Sequence, residues 1–200
     1  MTTAPDAEAW AAALTMYERR YSYVLVGPRT HQHWVQDVAA VMRREPTDPR
    51  SWKWIDADEG AEERLEDPFF PFVLPPSDPQ GVAAWQVALS TVPRMSVERL
   101  LVMLATTWLD VPSERARNHF ETRRPKLEHN ARTILAHFPE EASFYTNSGY
   151  PGSHGERPAD APDFYDATTG CTPFSRYDWD LGMIAVSEHE VGIFWSFDAT

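Results

Sequence analysis

Residues 177–187 and 191–197 constrain this fold more than any other part of the chain. Both runs have strand character, and Glu188-His189-Glu190 between them reads as the turn of a β-hairpin. In the second run Ile193, Trp195 and Phe197 alternate with Phe194 and Ser196. Alternate residues of a strand point to opposite faces, so Phe194 and Trp195 make both faces apolar. Such a strand belongs in the middle of a sheet or under cover on both sides.

The other elements fall around this hairpin. Residues 21–26 are aromatic and β-branched and read as an early strand, and 142–147 as a later one. Trp52-Lys53-Trp54-Ile55 suits a short strand. Trp10, Leu14 and Tyr17 recur at helical spacing within 6–20. A second helix is expected from Thr30, as N-cap, to about Arg44, with Trp34, Val38, Val41 and Met42 on its apolar side. Helices are also expected over 80–91, from a Ser96 cap with Leu100, Leu101, Leu104 and Trp108 buried, and from a Ser113 cap to about His137, with Pro125 kinking or dividing the last. Pro68, Pro71, Pro75, Pro76 and Pro79 make 68–79 an extended segment laid over the core. Residues 148–172 are polar, rich in Gly and Pro, and read as a long loop.

The expectation is one α+β domain spanning 1–200. It has a mostly antiparallel sheet of about four to five strands, one early and the rest C-terminal, packed with a helical middle section whose helices lie on one side.

Charge narrows the class of partner. The chain of 200 residues has 18 Lys and Arg against 30 Asp and Glu, a net charge of −12. Residues 140–200 hold eleven acids and two bases, so that third supplies −9 of the total. A second acidic focus is Asp56, Asp58, Glu59, Glu62, Glu63, Glu66 and Asp67, offset by Arg64. Phosphate backbones and anionic membrane surfaces repel such a chain, and a basic partner is attracted to it. A solvated acidic surface that only keeps the protein soluble gives the same composition. One cysteine, Cys171, cannot close an internal disulfide, which suits a reducing compartment. Met1–Asp6 has no basic stretch leading into an apolar one, and the apolar run at 100–109 is too short to span a bilayer. A cytoplasmic protein is expected, with no membrane or nucleic-acid partner.

Catalytic signatures are weak. His31-Gln32-His33 lacks the spacing that puts two imidazoles on one helix face. Val26-Gly27-Pro28-Arg29-Thr30 joins a strand to a helix but carries no phosphate-loop motif. Cys171 has no activating partner fixed by spacing. Arg115, Arg117, Arg123, Arg124, Lys126 and Arg132 interleave with Glu114, Glu121 and Glu128, as on a salt-bridged helix face. Asp178-Trp179-Asp180 would put both carboxylates on one face at a sheet rim, with Trp179 pointing into the core. No catalytic residue, metal or cofactor is expected from these patterns.

By size and composition the chain is similar to bacterial immunity proteins in general, although no motif identifies a particular family. The likeness implies an inhibitor that neutralises a basic toxin or nuclease. Its binding residues would be Asp56, Asp58, Glu59, Glu62, Glu63, Glu66, Asp67, Tyr150, Asp178, Trp179 and Asp180, with aromatic anchors beside acids. Two alternatives remain. One is a small-molecule enzyme whose site under the 148–172 loop uses Tyr150, His154, Asp163 and Asp178. The other is an assembly subunit docking through Phe69–Leu74.

Overall fold

The computed structural model describes residues 6–18, 22–45, 51–53, 66–67, 69–73, 83, 85–117, 119–149, 162–166 and 169–198. The expected hairpin is its centre. β7 (Trp179–Val186) and β8 (Glu190–Asp198) pair antiparallel, with Ile184 opposite Ile193. The early strand β1 (Ser22–Pro28) lies on the other side of β8, with Leu25 opposite Ile193. Outside these are β2 (Ser51–Lys53) and β4 (Ser143–Thr146), and β3 (Ser90–Thr91) forms the far edge. The order is β2-β1-β8-β7-β4-β3, antiparallel throughout, and a small pair, β5 (Ser148–Gly149) with β6 (Thr169–Cys171), stands beside it. The fold is α+β, with the early strand β1 set among the C-terminal strands β8, β7 and β4, and the short β2 and β3 added at the two edges.

Both faces of the sheet are covered and both carry helices, where helices on one side were expected. Leu181, Met183 and Phe194 face α1 (Ala7–Leu14), α3 (Arg94–Met103), α4 (Val111–Arg117) and α5 (Phe120–His137). Tyr23, Leu25, Ile184, Ile193 and Trp195 face α2 (Trp34–Met42), Phe69, Phe72, Trp85 and Phe174. Alternation explains the two cores: β8 has an apolar side chain pointing each way, so neither side can be left to water. Phe69 and Phe72 are buried against their own sheet, so the segment covers the core, but 69–71 is a turn, with Phe72 N donating to Phe69 O at 2.7 Å, where an extended run was expected.

Several helix starts differ from expectation. Asp6 caps α1 by accepting from Ala9 N at 2.7 Å. α2 begins after His33, so Thr30 is outside the helix. α3 begins after Pro93, and Ser96 is buried within it. Ser113 lies inside α4, where its N–H and hydroxyl donate to Asp110 at 3.3 and 2.7 Å. Pro125 does not divide the helix: α5 runs through it, and the break comes earlier, at His119, with φ of 52°. Residues 85–87 are helical, but Ser90 and Thr91 have left the helix to pair with β4. Pro93 disfavours helix at Val92 and so bars continuation into α3.

Gly182 lies opposite Trp195, where the indole crosses the backbone of β7. A Cβ at position 182 would sit 1.8 Å from Trp195 Cε3. That ring is fully buried and stacks on Phe174, which stacks on Trp85, at centroid distances of 5.5 and 4.9 Å. Gly182→Ala must therefore expel the indole or bend β7. The expected loss is about 3 kcal/mol or more, beyond ordinary overpacking, read as a lower urea midpoint or as insoluble protein. An unchanged midpoint contradicts this packing.

Candidate functional site

Among the described residues, the end of the first acidic focus, Glu66 and Asp67, lies beside the segment that leads into β7. Phe72 forms an antiparallel bridge with Ser175. Val73 N donates to Phe174 O at 2.8 Å, and Arg176 N to Pro71 O at 2.9 Å. These bonds stitch the end of the first focus to the start of β7. Asp67 then pairs with Arg176, Nη2 to Oδ2 at 2.6 Å, and accepts from Phe69 N at 3.0 Å. The ion pair is exposed and contributes at most ~1 kcal/mol, so the backbone bridge does most of the joining. Glu66 and Asp178 are exposed beside it in sequence. Asp56, Asp58, Glu59, Glu62, Glu63 and Tyr150 lie outside the described residues.

Trp179 and Asp180 are the reverse of what the sequence suggested. Trp179 is 41% exposed and Asp180 is fully buried. The strand begins at Trp179, so Asp178 precedes it and shares no pleated face with Asp180. Asp180 points into the second core and takes four N–H donors. Asn147 Nδ2 and Trp195 Nε1 donate to Oδ1 at 2.8 and 3.0 Å, and Phe174 N and Ser175 N donate to Oδ2 at 2.9 and 2.7 Å. Burial pushes its carboxyl above the usual range, against the pull of these donors. Asp180 is a structural group and offers nothing to a partner. Trp179 shares a face with Leu181 at the sheet's end, and only it stays open to solvent.

A second buried carboxylate was missed altogether. Asp37, on α2, is 1% exposed and reaches back to the turn after β1. Its Oδ1 accepts from Thr30 N at 2.8 Å, His31 N at 3.0 Å and His31 Nδ1 at 2.8 Å. Its Oδ2 lies 3.5 Å from Arg29 Nε. Burial raises the carboxyl, but the Thr30 and His31 N–H donors and the His31 imidazole outweigh it and hold the pKa below the ordinary value. A carboxylate can only accept, so in the neutral ring Nδ1 carries the His31 proton and Nε2 the lone pair. The His31 side chain is 45% exposed. An Asp seven residues after a Thr is no recognised cap pattern, so nothing in the residue order marks it.

The remaining candidates are accounted for by their contacts. Burial pushes the Cys171 thiol up to about 12, the opposite of an activated nucleophile. The arginine-rich face is salt-bridged: Arg115 to Glu121 at 3.1 Å, Arg124 to Glu128 at 2.7 Å, Arg123 to Glu114 at 2.6 Å and Arg132 to Glu98 at 2.8 Å. Asp163 pairs with Arg99, and the Arg99, Arg115 and Arg124 guanidinium groups surround the Tyr165 ring. His154 lies outside the described residues. No described helix is long and apolar enough to cross a membrane. Among the described residues no three His, Cys, Asp or Glu side chains come together as a metal site.

The fold and these sites define an α+β protein built on a doubly covered antiparallel sheet. No family model matches the chain, and neither does any curated protein or solved structure.

Two substitutions test the buried acids. Asn has one acceptor oxygen, so in either amide orientation Asp180→Asn turns an NH2 toward two N–H donors. A loss of about 1–3 kcal/mol is expected by denaturant unfolding, and a neutral effect would contradict the four-donor geometry. Asp37 has a lowered pKa when folded, so its stabilisation is present above the unfolded value near pH ~4 and is lost as pH falls through the folded one. The stability gap between wild type and Asp37→Asn should therefore shrink on acidification below pH ~4. A gap that stays constant from neutral pH into that range contradicts the assignment.

Proposed function

We propose that the protein is a cytoplasmic binding protein of the immunity or antidote type, which neutralises a basic toxin or nuclease by covering it with an acidic, aromatic face. The observation that carries this reading is the Asp67–Arg176 ion pair with the Phe72–Ser175 bridge, which sets the end of one acidic stretch beside the segment leading into exposed Asp178 and Trp179. It joins two acidic stretches that are more than 100 residues apart in sequence. The half-exposed indole of Trp179 next to Asp178 is the pairing that gives interfaces an anchor within a charged rim. The net charge of −12 supplies the long-range attraction. Asp180 is no part of this face.

The test is capture of basic proteins from cells that produce the chain, at low salt, followed by affinity measurement for the captured protein. A basic toxin or nuclease should bind, release as salt rises, and lose at least ~10-fold in affinity to the double reversal Glu66→Lys/Asp178→Lys. Both side chains are exposed, so the reversal leaves the core untouched. Co-expression of the wild-type chain, but not of the reversed one, should restore growth to cells making that protein. Undiminished binding by the reversed chain removes the face from the reading, and a bound partner without toxic activity removes the antidote role.

A further inference from the structure

The Asp37–His31 pair stands apart from the acidic face, and the proposed binding role makes no use of it. Its parts are those of an oriented imidazole. The carboxylate behind the ring is buried and is itself held by two backbone N–H groups, so it cannot turn away. The 2.8 Å bond from Nδ1 fixes the tautomer and polarises the ring, which makes Nε2 a better nucleophile. The ring is 45% exposed, so a small reagent can reach it. The surroundings favour incoming negative charge. His31 lies just ahead of α2, whose N-cap residue, His33, makes no side-chain capping bond, and the helix dipole is positive at that end. The Arg29 guanidinium flanks the pair at 3.5 Å from Asp37.

We propose that His31 Nε2 is a phosphoryl-accepting nucleophile, modified by small donors of the acyl-phosphate or phosphoramidate class. With phosphoramidate, the Nε2 lone pair forms a bond to phosphorus as the P–N bond breaks. The departing nitrogen, already protonated in the zwitterionic donor, leaves as ammonia with that electron pair. The product is an Nε2-phosphoimidazolium whose Nδ1–H remains bonded to the Asp37 carboxylate, which balances the ring's positive charge.

The experiment treats the whole chain with phosphoramidate at neutral pH and follows each histidine by mass spectrometry under alkaline conditions, where phosphohistidine survives. His33, His119, His129 and His189 are all exposed and serve as internal controls in the same molecule. His31 should be phosphorylated at least ~10-fold faster than any of them, on the scale that a carboxylate behind an imidazole contributes. Asp37→Asn should lower the His31 rate to that of the controls and leave theirs unchanged. That variant is compared at a temperature where its circular dichroism matches the wild type, because Asp37 also fixes the turn. The wild-type ratio needs no variant. Equal rates at His31 and the exposed controls overturn the proposal, and so does a His31 rate unaffected by Asp37→Asn in folded protein.

Discussion

A buried carboxylate held by N–H donors ties the sheet to its surroundings. Asp180 takes donors from the exit of β4, from the segment ahead of β7 and from the indole on β8. Asn147 works from the opposite side. Its Oδ1 accepts from Gly182 N at 2.8 Å, and its Nδ2 donates to Thr172 O at 3.0 Å as well as to Asp180. Unmet N–H groups at this depth would each cost about 1–3 kcal/mol. The one arrangement that meets all of them therefore fixes where these stretches of chain lie relative to one another.

The packing above that network follows from it. Trp195 donates to Asp180 and presents its ring to Phe174 on one side and to bare Gly182 backbone on the other. Burying one such indole stabilises by roughly 4–6 kcal/mol at 25 cal/mol per Å². With Phe174 held there, Ser175 and Arg176 are placed to pair with Phe72 and Pro71. The junction of the two acidic stretches is thus a consequence of core packing, and only the Arg176–Asp67 contact is a surface event.

Two buried aspartates serve opposite ends in this protein. Asp180 is closed, with both oxygens committed to N–H donors inside the core. Asp37 is open at one side: the ring it binds reaches solvent, so its charge can influence what His31 does there. Between them stands the exposed pair Asp178 and Trp179, whose value depends on what arrives from outside. The arginine-rich helix face, by contrast, is balanced by its own glutamates and by Asp163.

The sequence by itself determined the hairpin, because Phe194 and Trp195 leave a strand no polar face, and Glu188-His189-Glu190 leaves it one place to turn. It also determined the early strand, the covering role of the proline-rich segment and the salt-bridged arginine helix, since each is a local pattern of period, turn chemistry or interleaved charge. Helix starts were less legible: the Asp110 carboxylate, not Ser113, accepts from a first-turn N–H of α4, and α3 starts directly after Pro93 with no side-chain cap, ahead of Ser96. Tertiary structure alone decided the sites. Asp178 and Asp180 read alike as rim acids with Trp179 turned inward, yet the donors that bury Asp180 come from positions 147, 174, 175 and 195. Asp37 meets His31, and Asp67 meets Arg176, for the same reason. Hydrogen-bond partners distant in sequence follow no periodicity, so only the folded chain brings them within 3 Å.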